Sequence, residues 1–98
     1  MITKAYYVYM LRCGDGSYYT GYTTDLESRL KKHQSGVAAK YTRSRLPVEI
    51  VQAWPFEDLT TALRIEWAIK QLTRPKKDRL LSLNLTSQEV VVKLLDNN

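Results

Sequence analysis

Ninety-eight residues suffice for one domain with a modest core and are too few for two. Hydrophobic residues at 44% and charged residues at 26% fit a soluble globule, and no apolar run approaches the roughly 18 residues of a membrane span. The net charge of +5 sits in one half: residues 1–45 hold eight Lys/Arg against three Asp/Glu, whereas residues 46–98 hold seven of each. Such a surface attracts phosphate backbones.

Taken in chain order, the first element is a strand that alternates Tyr7, Tyr9 and Leu11 with Tyr6, Val8 and Met10. A second strand places Tyr19, Gly21 and Thr23 on one face and Tyr18, Thr20 and Tyr22 on the other. Asp15-Gly16 between them supplies a tight hairpin turn. Antiparallel pairing then brings two phenols onto one surface, with Gly21 leaving open space beside them. Thr24 and Glu27 match a capping box for a helix that ends near Gly36. Leu26, Arg29, Leu30 and His33 form one stripe of that helix, so Arg29 and His33 are carried toward the sheet. A guanidinium fork suits phosphate, and an imidazole moves protons near neutrality.

Residues 37–47 read as a polar, basic loop bearing Lys40, Tyr41, Arg43 and Arg45. Residues 48–54 predict a buried strand that Pro55 stops. Residues 60–72 predict a helix in which Glu66 lies inside the apolar arc, so its carboxylate needs a cation or a partner such as Lys70 at i+4. Pro75 opens another helix running to about Leu85. Thr86 and Glu89 repeat the capping-box spacing and open a last helix bearing Val90, Val91, Leu94 and Leu95. Trp54 and Trp67 are assigned to the core.

The lone Cys13 cannot form an internal disulfide, and no Cys/His cluster marks a zinc site. No basic segment followed by an apolar stretch opens the chain, which predicts a cytoplasmic protein. The order is β-β-α-β-α-α-α. It predicts an α/β (α+β) fold with a small three-stranded antiparallel or mixed sheet flanked by helices. A single domain over 1–98 is expected, with a core of about 4–83 and a C-terminal helix of about 86–96.

Tyr7-Val8-Tyr9 and Tyr19-Thr20-Gly21 resemble the paired motifs of the GIY-YIG nuclease superfamily, with Tyr7 in place of the first glycine. Arg29, His33, Lys40-Tyr41-Thr42 and Ala62-Leu63-Arg64-Ile65-Glu66-Trp67 continue the likeness. It extends from about Tyr6 to Leu72 and is strongest to small stand-alone bacterial domains, similar to the nuclease domain of eukaryotic structure-specific endonucleases.

The resemblance implies a metal-dependent endonuclease acting on DNA, single-stranded or branched, with RNA as a further substrate class. It implies Tyr9 as general base, Tyr19 orienting water or phosphate, Arg29 as phosphate clamp and His33 assisting proton transfer at Tyr9. Glu66 would hold one divalent metal, Mg²⁺ or Mn²⁺. Gly21, Lys40, Tyr41, Arg43 and Lys70 are the expected substrate contacts. An ordinary phenol, with a pKa near 10, makes a poor base, so cationic surroundings are expected to lower that of Tyr9. The family's asparagine beyond the glutamate has no counterpart, since Asn84 falls in another helix; Lys70 or Arg74 are the candidate substitutes. Two other classes stay open: a nucleic-acid-binding domain with little turnover, and an interaction domain docking through its C-terminal helix.

Overall fold

A computed structural model describes residues 4–96, so the ends of the expected domain, 1–3 and 97–98, lie outside the described residues. Strand β1 (Tyr6–Arg12) is central, with β2 (Tyr18–Thr23) and β3 (Glu49–Phe56) antiparallel on either side, giving the order β2-β1-β3. Among the described residues, the helices are α1 (Leu26–Gln34), α2 (Lys40–Arg43), α3 (Leu59–Lys70), α4 (Arg74–Leu83) and α5 (Ser87–Leu94). Apart from the added α2, this is the expected order.

The alternation in β1 divides the molecule. Val8 and Met10 point into an apolar cluster with Trp54, Phe56, Ala62, Ile65, Ile69, Leu80 and Val90, which unites β3, α3, α4 and α5. Tyr9 and Leu11 point the opposite way, toward Leu26 and Leu30 of α1, Val48 and Ile50. The faces inferred from period-two alternation are therefore the observed ones. Helix α5 turns Val90 into its own core, with Val91, Leu94 and Leu95 packed beside it. The reciprocal Thr86–Glu89 capping box opens that helix as expected.

The hairpin turn forms at Asp15-Gly16, where Gly16 has φ 85° and the Asp15 carboxylate accepts from the Ser17 amide at 3.0 Å. It is tied down from two directions. Arg74 at the start of α4 donates to the Gly16 carbonyl at 2.7 Å and lies 4.0 Å over the Tyr18 ring. The Gly14 amide donates to the Arg45 carbonyl at 2.7 Å, fixing the segment that follows α2.

Several local expectations are corrected. Asp25, not Thr24, caps α1, accepting from the Ser28 amide at 3.1 Å, while Glu27 pairs with Lys31. Within the expected 37–47 loop, four residues form α2. Pro55 does not stop β3 but lies within it, because β3 is an edge strand and a missing N–H costs no ladder bond on the outer side. Helix α4 stops at Leu83 because Asn84 adopts φ 50°, a left-handed cap that asparagine tolerates. Trp67 is 66% exposed: α3 turns Ala62, Ile65 and Ile69 inward, and position 67 falls on the opposite side. Among the described residues, no helix is long and apolar enough to cross a membrane.

Candidate active site

Tyr9 sits in the middle of β1, directly opposite Gly21 of β2. A methyl group placed on Gly21 would lie 2.7 Å from the Tyr9 hydroxyl and 2.9 Å from the ring carbon bearing it. The phenol thus lies across β2 where any other residue would project its side chain. Tyr9 fills the position a side chain at 21 would take, and the open cleft lies beside the pair. A side chain at position 21 would displace that hydroxyl, which makes Gly21 a determinant of where the phenol points.

Lying there, the Tyr9 hydroxyl meets Nε2 of His33 at 2.8 Å. His33 comes from the last turn of α1 and is 1% exposed. Its Nδ1 lies 2.9 Å from the hydroxyl of Thr42, and that hydroxyl is 3.2 Å from the Ala39 carbonyl. Tyr19 closes the group, its ring 5.1 Å from the imidazole and 6.4 Å from the Tyr9 ring, edge-on and tilted respectively. In the sequence Thr42 figures only within the Lys40-Tyr41-Thr42 likeness and carries no assigned role. Its signal, one threonine among charged and aromatic loop residues, became meaningful only when α2 turned it inward.

These groups open onto a cleft of about 340 Å³ lined by Tyr9, Tyr19, Gly21, Arg29 and Glu66, and also by Tyr22, Thr23 and Thr24. Four elements, β1, β2, α1 and α3, thereby converge on one space. A larger depression of about 550 Å³ lies elsewhere on α1, but Asp25, Glu27, Lys31 and Lys32 in it are exposed. Chemistry rather than volume distinguishes the smaller cleft.

Glu66 reaches the cleft from α3 with its side chain 16% exposed and Lys70 Nζ 3.2 Å away. Glu66 thus has its helical partner and also faces the cleft. A partly exposed i,i+4 pair contributes only about 0.3–0.5 kcal/mol, so Lys70 is readily displaced. Among the described residues, no three His, Cys, Asp or Glu side chains cluster as a metal cage. A lone carboxylate suits Mg²⁺ or Mn²⁺, which keep water and phosphate oxygens in most positions, and excludes a closed structural zinc site.

The remaining expected contacts divide. Tyr41 is 38% exposed, 6.1 Å from the Tyr19 ring, with the Arg45 guanidinium 3.9 Å over its own ring. Lys40 and Arg43 are exposed on α2 and do not line the cleft. Arg74 is occupied at the hairpin, where it bonds Asp78 and Gly16. Asn84 accepts from Gln52 at 3.3 Å and caps α4. Neither lines the cleft of Arg29 and Glu66.

Electrostatics reverse one expectation. Burial pushes the Tyr9 phenol well above its ordinary pKa, Tyr19 and Glu66 push the same way, and the opposing pull of Arg29 does not compensate. Burial, then Arg29, lowers His33 below its ordinary 6.5. Near neutrality the pair is a neutral phenol against a neutral imidazole.

Comparison with known proteins places the chain in a family. A family model described as the GIY-YIG catalytic domain matches residues 5–79. The UPF0213 protein BH0048 of Halalkalibacterium halodurans is 51% identical over 89 residues, covering 91% of this chain and 95% of that one. The solution NMR structure of BH0048 matches with a TM-score of 0.57 at 49% identity, covering 93% of this chain and 97% of that chain. The solution NMR structure of the protein EF2693 from E. faecalis matches with a TM-score of 0.59 at 45% identity, covering 82% and 85%. A sheet that aligns two motif tyrosines, a helix that brings an arginine and a histidine to them, and a match over three-quarters of the chain agree: this protein belongs to the GIY-YIG catalytic domain family.

Proposed function

We propose that the protein is a metal-dependent endonuclease that hydrolyses phosphodiester bonds in DNA. The observation that carries this reading is the buried 2.8 Å hydrogen bond between Tyr9 and His33, at the floor of a cleft that also holds Arg29 and Glu66. A structural tyrosine needs a hydrogen-bond partner, but not an arginine and a largely buried carboxylate converging beside it.

In this reading Arg29 presents its fork of donors to the non-bridging oxygens of the scissile phosphate. Tyr19 orients the attacking water. As the water oxygen bonds to phosphorus, Tyr9 takes the water's proton and passes its own to Nε2 of His33, and the bond from phosphorus to the leaving oxygen breaks. The leaving oxygen then takes a proton from solvent. Because burial raises the phenol's pKa, Tyr9 does not wait as a phenolate; the concerted hand-over to His33 is what lets it act as a base. The phosphate's negative charge offsets Arg29 and eases formation of the imidazolium. Glu66, with water and phosphate oxygens, would hold Mg²⁺ or Mn²⁺, whose chemistry is to neutralise charge on the phosphate and the leaving oxygen. Lys70, released from Glu66, becomes available to the same phosphate. Tyr41, backed by Arg45, offers a flat face on which an unpaired base can stack, which favours single-stranded or branched DNA.

The test is a cleavage panel of end-labelled single-stranded, duplex, flap and junction DNAs with Mg²⁺, Mn²⁺ or chelator. Cleavage that needs a divalent metal and favours unpaired strands is expected. Binding without cleavage under either metal would overturn the enzyme and leave a nucleic-acid-binding domain.

A further inference from the structure

We infer that Thr42 is a positioning residue: its hydroxyl holds the His33 imidazole in the Nδ1–H tautomer, so that Nε2 faces Tyr9 as a bare acceptor. The consequence for turnover rests on the hydrolytic reading above; the tautomer itself does not.

Proton bookkeeping at three atoms leads to this assignment. A threonine hydroxyl has one hydrogen to donate and two lone pairs. The Ala39 carbonyl, 3.2 Å away, has no hydrogen, so it takes the one from Thr42. That carbonyl also accepts from the Arg43 amide at 3.1 Å, and its two lone pairs serve both. The Thr42 oxygen then meets Nδ1 at 2.9 Å as an acceptor, which puts the imidazole's hydrogen on Nδ1. A neutral imidazole carries one such hydrogen, so Nε2 is bare and accepts from the Tyr9 hydroxyl at 2.8 Å. The chain runs in one sense, from Tyr9 through His33 and Thr42 to Ala39.

The opposite tautomer fits worse. With the Thr42 hydrogen turned to Nδ1, the Ala39 contact is lost and Nε2–H points at the Tyr9 oxygen. The Tyr9 hydrogen then has no acceptor among the described residues and is left to solvent in the cleft. Both His33 and Thr42 are essentially inaccessible, so water does not freely replace the lost contact between Thr42 and Ala39.

The local structure is consistent with this role. Lys40, Tyr41 and Arg43 are exposed, and Thr42 alone of the four residues of α2 is buried. One helical turn is far too short to be stable by itself. It is held by tertiary contacts, and its one inward side chain goes to the imidazole. Direction matters for the chemistry, because Tyr9 can release its hydrogen to Nε2 only while Nε2 is bare.

The experiment uses the tag-free full chain, in which His33 is the only histidine, so its ring nitrogens are the only imidazole signals in a ¹⁵N NMR spectrum. Slightly above neutrality the wild type should show a pyrrole-type Nδ1 and a pyridine-type Nε2. Thr42→Val keeps the shape, removes the acceptor and should shift His33 toward the Nε2–H form. Single-turnover cleavage should fall by about 10²-fold, the scale of a general base, with DNA affinity unchanged. Thr42→Ser should restore both the wild-type nitrogen pattern and most of the rate.

A wild-type spectrum of the Nε2–H form overturns the inference, whatever the activity and whether or not Thr42→Val folds. So does a Thr42→Val protein that keeps the wild-type pattern and rate. The wild-type pattern with no cleavage of any DNA leaves the tautomer standing and removes the hydrolytic reading instead.

Discussion

The two faces of the sheet are built from the same three strands and do different work. On the α3–α5 face the buried cluster is predominantly apolar, and its one ring N–H, that of Trp54, is spent on the Leu85 carbonyl. On the α1–α2 face the buried residues include Tyr9, His33 and Thr42, joined by hydrogen bonds in a region that a stability-only design would fill with leucine. Burying polar groups offers little net stability even when they are fully bonded. Under the proposed function, stability lies chiefly on one face and chemistry on the other, with Glu66 the residue that α3, a helix of the apolar face, sends into the cleft.

The largest effect expected is on Glu66. Glu66→Gln should lower cleavage by at least about 10²-fold, because it weakens the hold on a metal that would neutralise transition-state charge. Its melting temperature should stay near wild type, since only a partly exposed pair with Lys70 is lost. Rate and thermal melts on one preparation check this. An unchanged rate at limiting metal would remove Glu66 from the metal site.

Next is the opposite separation. Leu80 of α4 is buried in the apolar cluster and absent from the cleft. Leu80→Ala should cost about 2–5 kcal/mol of unfolding free energy while leaving the rate per folded molecule unchanged. Denaturant titration with activity normalised to folded fraction measures both. A proportionate loss of intrinsic rate would show that the faces are coupled rather than divided.

That division was partly legible in the sequence. Alternation in β1 and the spacing of Arg29 and His33 placed Tyr9, Tyr19, Arg29 and His33 together, because both depend only on local periodicity. What escaped depended on long-range approach. Gly21 looked like open space because nothing local says that Tyr9 lies across it. Thr42 looked like a loop residue because a one-turn helix carries no periodicity of its own. The phenol's raised pKa follows from burial, which no motif encodes. Pro55 looked like a terminus because edge position is a property of the whole sheet.

The smallest effect is on pH dependence, and its sign follows from His33. Folding holds its pKa below the ordinary value, so below about pH 6.5 the unfolded chain takes up a proton that the folded chain does not. Stability from this group is complete above that pH and declines as pH falls through it. Thermal melts between roughly pH 5 and 8 should show the decline in wild type and a flatter profile in His33→Gln. Equal slopes in both would mean that another group titrates there.

The most direct measurement is the single-turnover rate of Tyr9→Phe per folded molecule, with Tyr6→Phe as control. Tyr6 leans on the apolar cluster of the other face. Loss of the Tyr9 hydroxyl leaves Nε2 of His33 buried without its partner, so some destabilisation, about 1–3 kcal/mol, accompanies the change and must be divided out. The predicted result is a rate at least about 10²-fold below wild type with DNA affinity unchanged, while Tyr6→Phe stays near wild type. A Tyr9→Phe protein that cleaves at the wild-type rate once folded would contradict the account.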